Sequence, residues 1–181
     1  MQVYILPFLL ALMVIFDFSP PETTEGWRIV NDGVMGGLSR SEFILTEDST
    51  AVFRGVLSLE NYGGFASVRS ATGKFDLGAH EGIELRVLGD GRMYQIRLRT
   101  DSRYDGVAYR YEFDTIDGEW LTVRAPFSGF EPTFRGRILT DYKPLDPSDI
   151  QQVGFMIADK ISGPFRLEID KVSAYSSSGE E

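Results

Sequence analysis

The densest chemical stretch of this 181-residue chain is Trp27 to Ser39, WRIVNDGVMGGLS, where Asn31 and Asp32 stand among three glycines and beside Met35. Gly33, Gly36 and Gly37 let a backbone turn sharply and approach another surface closely. Two uses fit such a stretch. It is either a recognition loop that offers Asn31, Asp32, Gly33, Met35, Gly36, Gly37 and Ser39 to a partner, or a structural loop whose Asp32 carboxylate accepts nearby backbone N–H groups. The glycine spacing matches neither the P-loop nor G-x-G-x-x-G, so a nucleotide cradle is the weakest use. Asn61-Tyr62-Gly63-Gly64-Phe65 adds a second glycine pair, read as a turn beside the first loop. Gln95, Arg97 and Arg99 alternate along one strand, and planar multi-donor groups in such a row suit carboxylates or sugar hydroxyls. A solvated face is the plain alternative. Pro126 to Arg137, PFSGFEPTFRGR, carries three phenylalanines with Arg135 and Arg137. Either Phe134 and Arg135 present an aromatic anchor beside a charge, or the phenylalanines plug the end of the fold.

Catalysis finds little footing among these residues. The single histidine, His80, sits in a polar turn and reads as a surface side chain. There is no G-x-S-x-G elbow, no H-E-x-x-H pair and no cysteine, so nucleophile motifs, thiolate metal sites and disulfides are all missing. Loop oxygens such as those of Asp32 or Asp90 do not form an EF-hand loop. The expectation is a non-enzyme with no catalytic residue, no metal and no cofactor. A net charge of −9 and a pI near 4.7 oppose binding to phosphate backbones, so nucleic acid is not an expected partner.

Period-two alternation recurs along the chain and predicts strands. Ile83, Leu85 and Val87 alternate with Glu84 and Arg86; Tyr94, Ile96 and Leu98 with Gln95, Arg97 and Arg99; Tyr109, Tyr111 and Phe113 with Arg110 and Glu112. Gly89-Asp90-Gly91, Asp105-Gly106 and Asp117-Gly118 mark tight turns between them. The apolar phase slips near Asp170-Lys171, which predicts a β-bulge, and Pro147 to Gln152 suits a short helical turn. About ten strands with few helices imply two antiparallel sheets packed face to face, with a jelly-roll β-sandwich as the expected form. The expected organisation is an apolar leader over 1–13, acting as a signal peptide or anchor, one domain over 14–175 and a polar tail over 176–181. A leader of that kind would make the chain exported or membrane-associated; otherwise it is cytoplasmic.

Several ordered stretches then resemble one family: Phe16-Asp17-Phe18, Trp27, Asn31 through Ser39, Phe53-Arg54-Gly55, Gly63 through Arg69, Gly89-Asp90-Gly91, Phe134-Arg135-Gly136, Gly154 through Lys160 and Gly163-Pro164-Phe165. Together they resemble the complex I intermediate-associated protein 30 domain, a galactose-binding-like jelly roll. The resemblance implies a chaperone-like role in assembling the membrane-bound NADH:ubiquinone oxidoreductase, with protein partners among its subunits or intermediates and no oxidoreductase activity. The front of the chain departs from the family, with an apolar leader in place of a basic, serine-rich presequence. The competing expectation is a carbohydrate-binding module, in which Tyr62, Tyr104 and Trp120 stack on sugars while Asn31, Asp32 and Arg97 bind hydroxyls.

Overall fold

Alternating side chains become two stacked sheets in the structure, a computed structural model that describes residues 11–20 and 24–176. Residues 1–10 of the expected leader and 177–181 of the expected tail lie outside the described residues. The strands are β1 (Ala11–Phe16), β2 (Arg28–Ile29), β3 (Arg40–Leu45), β4 (Ala51–Leu57), β5 (Ala66–Arg69), β6 (Gly82–Leu88), β7 (Met93–Arg99), β8 (Ala108–Asp114), β9 (Trp120–Pro126), β10 (Glu131–Phe134), β11 (Arg137–Ile138), β12 (Gln152–Ile157) and β13 (Gly163–Ser176). One sheet has the order β3-β4-β13-β6-β9, with β1 also paired to β13, and the other runs β11-β10-β8-β7-β12-β5-β2. The architecture is the expected all-β jelly-roll sandwich.

The long β13 organises the first sheet. Its N-terminal half pairs with β4, its C-terminal half pairs with β1, and β6 runs along its other edge. Register with β6 shifts between Ile169 and Lys171, where Asp170 is the extra residue of a bulge. The bulge reverses the apolar phase, so Leu167, Ile169, Val172 and Ala174 all reach the core. Ala11, Leu12 and Met13, expected in the leader, belong instead to β1 and pair with Ser176, Tyr175 and Ala174. Ser176, expected in the tail, likewise closes β13. A pairing partner at the edge of the sheet satisfies these backbone groups, which the apolar run alone does not foretell.

Inward side chains from both sheets, Phe53, Leu85, Tyr94, Ile96, Leu98, Tyr109, Phe155 and Leu167 among them, interlock as a single core. An aromatic cluster closes one end: Trp27 lies 4.6 Å from Phe43 and 5.0 Å from Phe16 between ring centroids, with Phe18 buried beneath. This packing gives the Phe16-Asp17-Phe18 and Trp27 stretches a physical task. The expected helical turn is a 3₁₀ turn over Pro147–Asp149, capped by the Asp146 carboxylate accepting from the Ser148 N–H at 3.0 Å.

Candidate functional site

The outward face of the seven-stranded sheet carries what the core side cannot take. Along β7, Tyr94, Ile96 and Leu98 point inward while Met93, Gln95, Arg97 and Arg99 line the outer groove. The same alternation brings out Arg110 and Glu112 from β8, Gln152, Gly154 and Met156 from β12, and Ser67 and Arg69 from β5. These residues floor a groove of about 1030 Å³. Val34 and Met35 of the glycine-rich stretch and Leu59 with Gly63 to Phe65 rim it on the β5 side. Arg135 and Gly136 rim it on the β10 side, with Tyr104 to Gly106 and Ala158 to Lys160 completing the border.

Strand register aligns the arginines. Arg97 stands opposite Arg110 on one neighbour and Gly154 on the other, and Gly154 stands opposite Arg69. Arg110 is neutralised by Glu112 at 3.2 Å and Glu131 at 3.1 Å. Arg97 donates to the Gln95 side-chain oxygen at 3.1 Å, Arg99 to the Gly106 carbonyl at 2.9 Å and Arg69 to the Tyr104 carbonyl at 3.0 Å. Among the described residues, no carboxylate lies within ion-pair distance of these three. Burial first, and then the neighbouring arginines, push the Arg97 and Arg99 guanidinium groups down to about 10, so both stay charged at neutral pH. The floor is therefore a positive surface in an acidic chain, able to hold an oxyanion or a row of polar acceptors.

The glycine-rich stretch divides between scaffold and rim. Asp32 is fully buried and opens a 3₁₀ turn, Asp32–Met35. Its carboxylate accepts from the Ser39 hydroxyl at 2.5 Å, the Ser39 N–H at 3.0 Å, the Gly64 N–H at 2.7 Å and the Phe65 N–H at 3.3 Å. Burial alone would raise this carboxyl, but the Ser39 hydroxyl and the three backbone donors outweigh it and hold it below its ordinary value. A Cβ at Gly37 would fall 2.3 Å from the Asp32 carboxyl carbon, and one at Gly63 would fall 2.6 Å from its oxygen. Both glycines are needed for backbone to close over the buried charge. Asn31 Oδ1 accepts from the Ser41 hydroxyl at 2.9 Å and the Ser67 N–H at 3.2 Å, tying the stretch to β3 and β5.

Of the residues expected to meet a partner, Asp32 and Ser39 are thus buried and committed to each other, and Asn31 and Gly37 serve the loop's own geometry. Asp32 has no exposed surface to offer a partner in this fold, and Ser39 keeps only 6% of its own. Gly33, Met35 and Gly36 are exposed, and Met35 lines the groove. Arg97 lies on the floor and Arg135 on the far rim, where Arg135 pairs with Asp105 at 2.5 Å and stacks on Phe134 at 5.2 Å from the ring centre. Phe127 and Phe130 are buried, so of the three phenylalanines in that segment Phe134 alone is exposed. Tyr104 borders the groove, whereas Trp120 lies on β9 of the other sheet beneath Arg86. The sequence reading missed that Arg69 and Arg110 join Arg97. Only the cross-strand register reveals that, although the alternation had already put Arg110 on an outer face.

Residues 16–169 match the family of complex I intermediate-associated protein 30. The chain is 29% identical to the mitochondrial complex I intermediate-associated protein 30 of Mus musculus over 90% of this chain and 56% of the relative, and 28% identical to that of Drosophila melanogaster over 88% and 61%. It spans little more than half the length of these curated relatives. An uncharacterized protein of Schizosaccharomyces pombe is 31% identical over 87% of this chain and 82% of the relative. Among solved structures, the family 11 carbohydrate-binding module of Clostridium thermocellum, in complex with a β-1,3-1,4-mixed-linked tetrasaccharide, superposes with a TM-score of 0.67 at 18% identity, covering 92% of this chain and 96% of that one. An agarase gives 0.63 at 13% identity, over 94% of this chain and 25% of that one. Those two likenesses bear on the fold, a jelly roll. The sequence match spans the domain from Phe16 in β1 to Ile169 in β13, and the chain belongs to the complex I intermediate-associated protein 30 family.

Proposed function

We propose that this chain is a non-catalytic binding module that holds a partner polypeptide during assembly of NADH:ubiquinone oxidoreductase or a related membrane complex. The observation that carries this reading is the groove itself: Met35, Arg97 and Arg135, from three distant segments, meet around one outer sheet face. An exposed apolar rim beside a charged floor suits reversible burial of polypeptide surface. The names of the curated relatives point the same way. Among the described residues the groove lining has no histidine, and no cluster of three or more metal-ligating side chains occurs. Among them, too, no helix is long and apolar enough to cross a membrane. The test is mild-detergent co-purification of the tagged full chain from its own host, followed by mass spectrometry. Enrichment of complex I subunits, lost in a Met35→Asp/Arg97→Glu double variant, is the expected result. A wild-type chain that brings down none of them would sink the reading.

A second reading is supported by Gln95, Gln152 and Tyr104 lining the same groove, a polar and aromatic set that suits sugar hydroxyls and ring faces. As a carbohydrate-binding module the chain would be retained on immobilised mixed-linkage β-glucan, and Tyr104→Ala would abolish the retention. Elution in the void volume removes this reading.

A further inference from the structure

The outer face of the seven-stranded sheet places like charges where cross-strand neighbours ordinarily alternate in sign. Arg110, Arg97 and Arg69 occupy one rung across β8, β7, β12 and β5, with Gly154 as the β12 member between the last two. Directly opposed like charges repel, and only Arg110 has carboxylate partners of its own. Gly154 lets β5 come close to β12 at this rung. A Cβ there would stand 2.6 Å from the Val68 carbonyl oxygen and 3.2 Å from Arg69 Cβ, so no larger residue fits without moving β5. The result is a pair of guanidinium groups, those of Arg97 and Arg69, on either side of the buried Gly154 backbone, within a chain of net charge −9. The nearby rim is apolar, with Val34 65%, Met35 59% and Leu59 44% exposed.

Resting on the reading of the chain as a polypeptide-binding module, we propose that this groove takes an extended acidic peptide segment. A carboxylate meets the Arg97 and Arg69 guanidinium groups on the groove floor, and a neighbouring apolar side chain lies against Val34 and Met35. A carboxylate matches the planar fork of a guanidinium and relieves the repulsion along the rung. Successive side chains of an extended segment point to opposite edges, so a carboxylate on one edge meets the arginine rung while its apolar neighbour turns to the other edge, toward the exposed Val34 and Met35 rim. A neutral sugar fits less well, since Tyr104, the most exposed aromatic side chain of the groove, already has the Arg69 guanidinium 5.0 Å from its ring centre.

The experiment is fluorescence anisotropy of the full chain with a fluorescein-labelled nonapeptide of alternating leucine and glutamate. Its glutamine counterpart, phosphatidylglycerol vesicles and polygalacturonate are run in parallel. The acidic peptide is expected to bind at least about tenfold more tightly than the glutamine peptide, to lose at least about tenfold in Arg97→Gln or Arg69→Gln, and to weaken as salt rises. Circular dichroism and the urea midpoint should be unchanged in the variant used. Equal binding of the two peptides, or binding indifferent to both substitutions, overturns the proposal. So does saturation by vesicles or polygalacturonate with no binding of the acidic peptide. Complex I subunits that still co-purify with Arg97→Gln would overturn this assignment while leaving the assembly reading intact, whereas their absence from the wild type would remove that reading.

Discussion

Asp32→Ala is expected to lower the unfolding free energy by about 3–5 kcal/mol, because several buried donors lose their shared acceptor at once. The carboxylate receives four donors: the Ser39 hydroxyl and the N–H groups of Ser39, Gly64 and Phe65. Alanine leaves them facing an emptied pocket that Gly37 and Gly63 were shaped to close, and each unsatisfied donor costs roughly 1–3 kcal/mol before the loop relaxes. Urea denaturation followed by tryptophan fluorescence reads the loss directly. A change under about 1 kcal/mol would show that the network is dispensable and would reopen Asp32 as a partner contact. The same carboxylate sets an acid limit. Its folded-state pKa lies below the ordinary carboxylate value near ~3.9. Its contribution is therefore fully present above that unfolded value and is lost as pH falls through the lower, folded one. Stability of the wild type should decline below about pH 4, and Asp32→Ala should flatten that decline.

Arg92→Ala is expected to cost a similar amount, about 3–5 kcal/mol, for a different reason. Arg92 grips Asp159 through two parallel bonds, Nε to Oδ2 at 2.8 Å and Nη2 to Oδ1 at 2.7 Å. It also donates to the carbonyls of Ile161 and of Pro164, the latter at 2.7 Å. Only 10% of the Arg92 side chain and 4% of the Asp159 side chain are exposed, so removing either partner strands a desolvated charge. Burial would raise the Asp159 carboxyl, but Arg92 and the Ile161 N–H hold it below its ordinary value. Asp159 therefore adds to the same acid-side loss as Asp32. The pair fastens the crossover from β12 to β13, whose residues Ala158 to Lys160 border the groove, so peptide affinity should fall along with stability. A double-mutant cycle with Asp159→Ala checks the coupling. Single variants whose losses simply add would show that Arg92 and Asp159 act separately.

Much of this architecture was legible in the chain itself. Alternation located the strands that have one wet face, since a two-residue period is a local property of extended backbone. The phase slip at Asp170 marked the bulge for the same reason, because one extra residue exchanges inside for outside. Other features depended on partners remote in sequence. That Ala11 to Met13 form strand was hidden, because an apolar run reads alike as a leader or as an edge strand, and the difference is made by β13 more than a hundred and fifty residues away. His80, read as a surface residue, is partly buried, with its Nδ1 shielded and without a hydrogen-bond partner. The turn it occupies is tied to the Pro147 turn through the Leu77 N–H and leads directly into β6.

The binding surface shows the division most clearly. The sequence by itself determined the residue types: glycines able to close over Asp32, arginines on alternate positions of β7 and one on the outer face of β8, and the ordered stretches that carry the family resemblance. Only the tertiary structure decided their tasks. Asp32 looked as available as Met35 in a polar, glycine-rich stretch, until four donors from across the chain turned it inward. Arg97 stood in a row that suited either a ligand or solvent, with Arg69 and Arg110 apart from it, until the antiparallel register put the three on one rung with Gly154. Burial and cross-strand registry are properties of neighbours brought together by folding, and local sequence specifies a side chain's chemistry without specifying what will stand beside it.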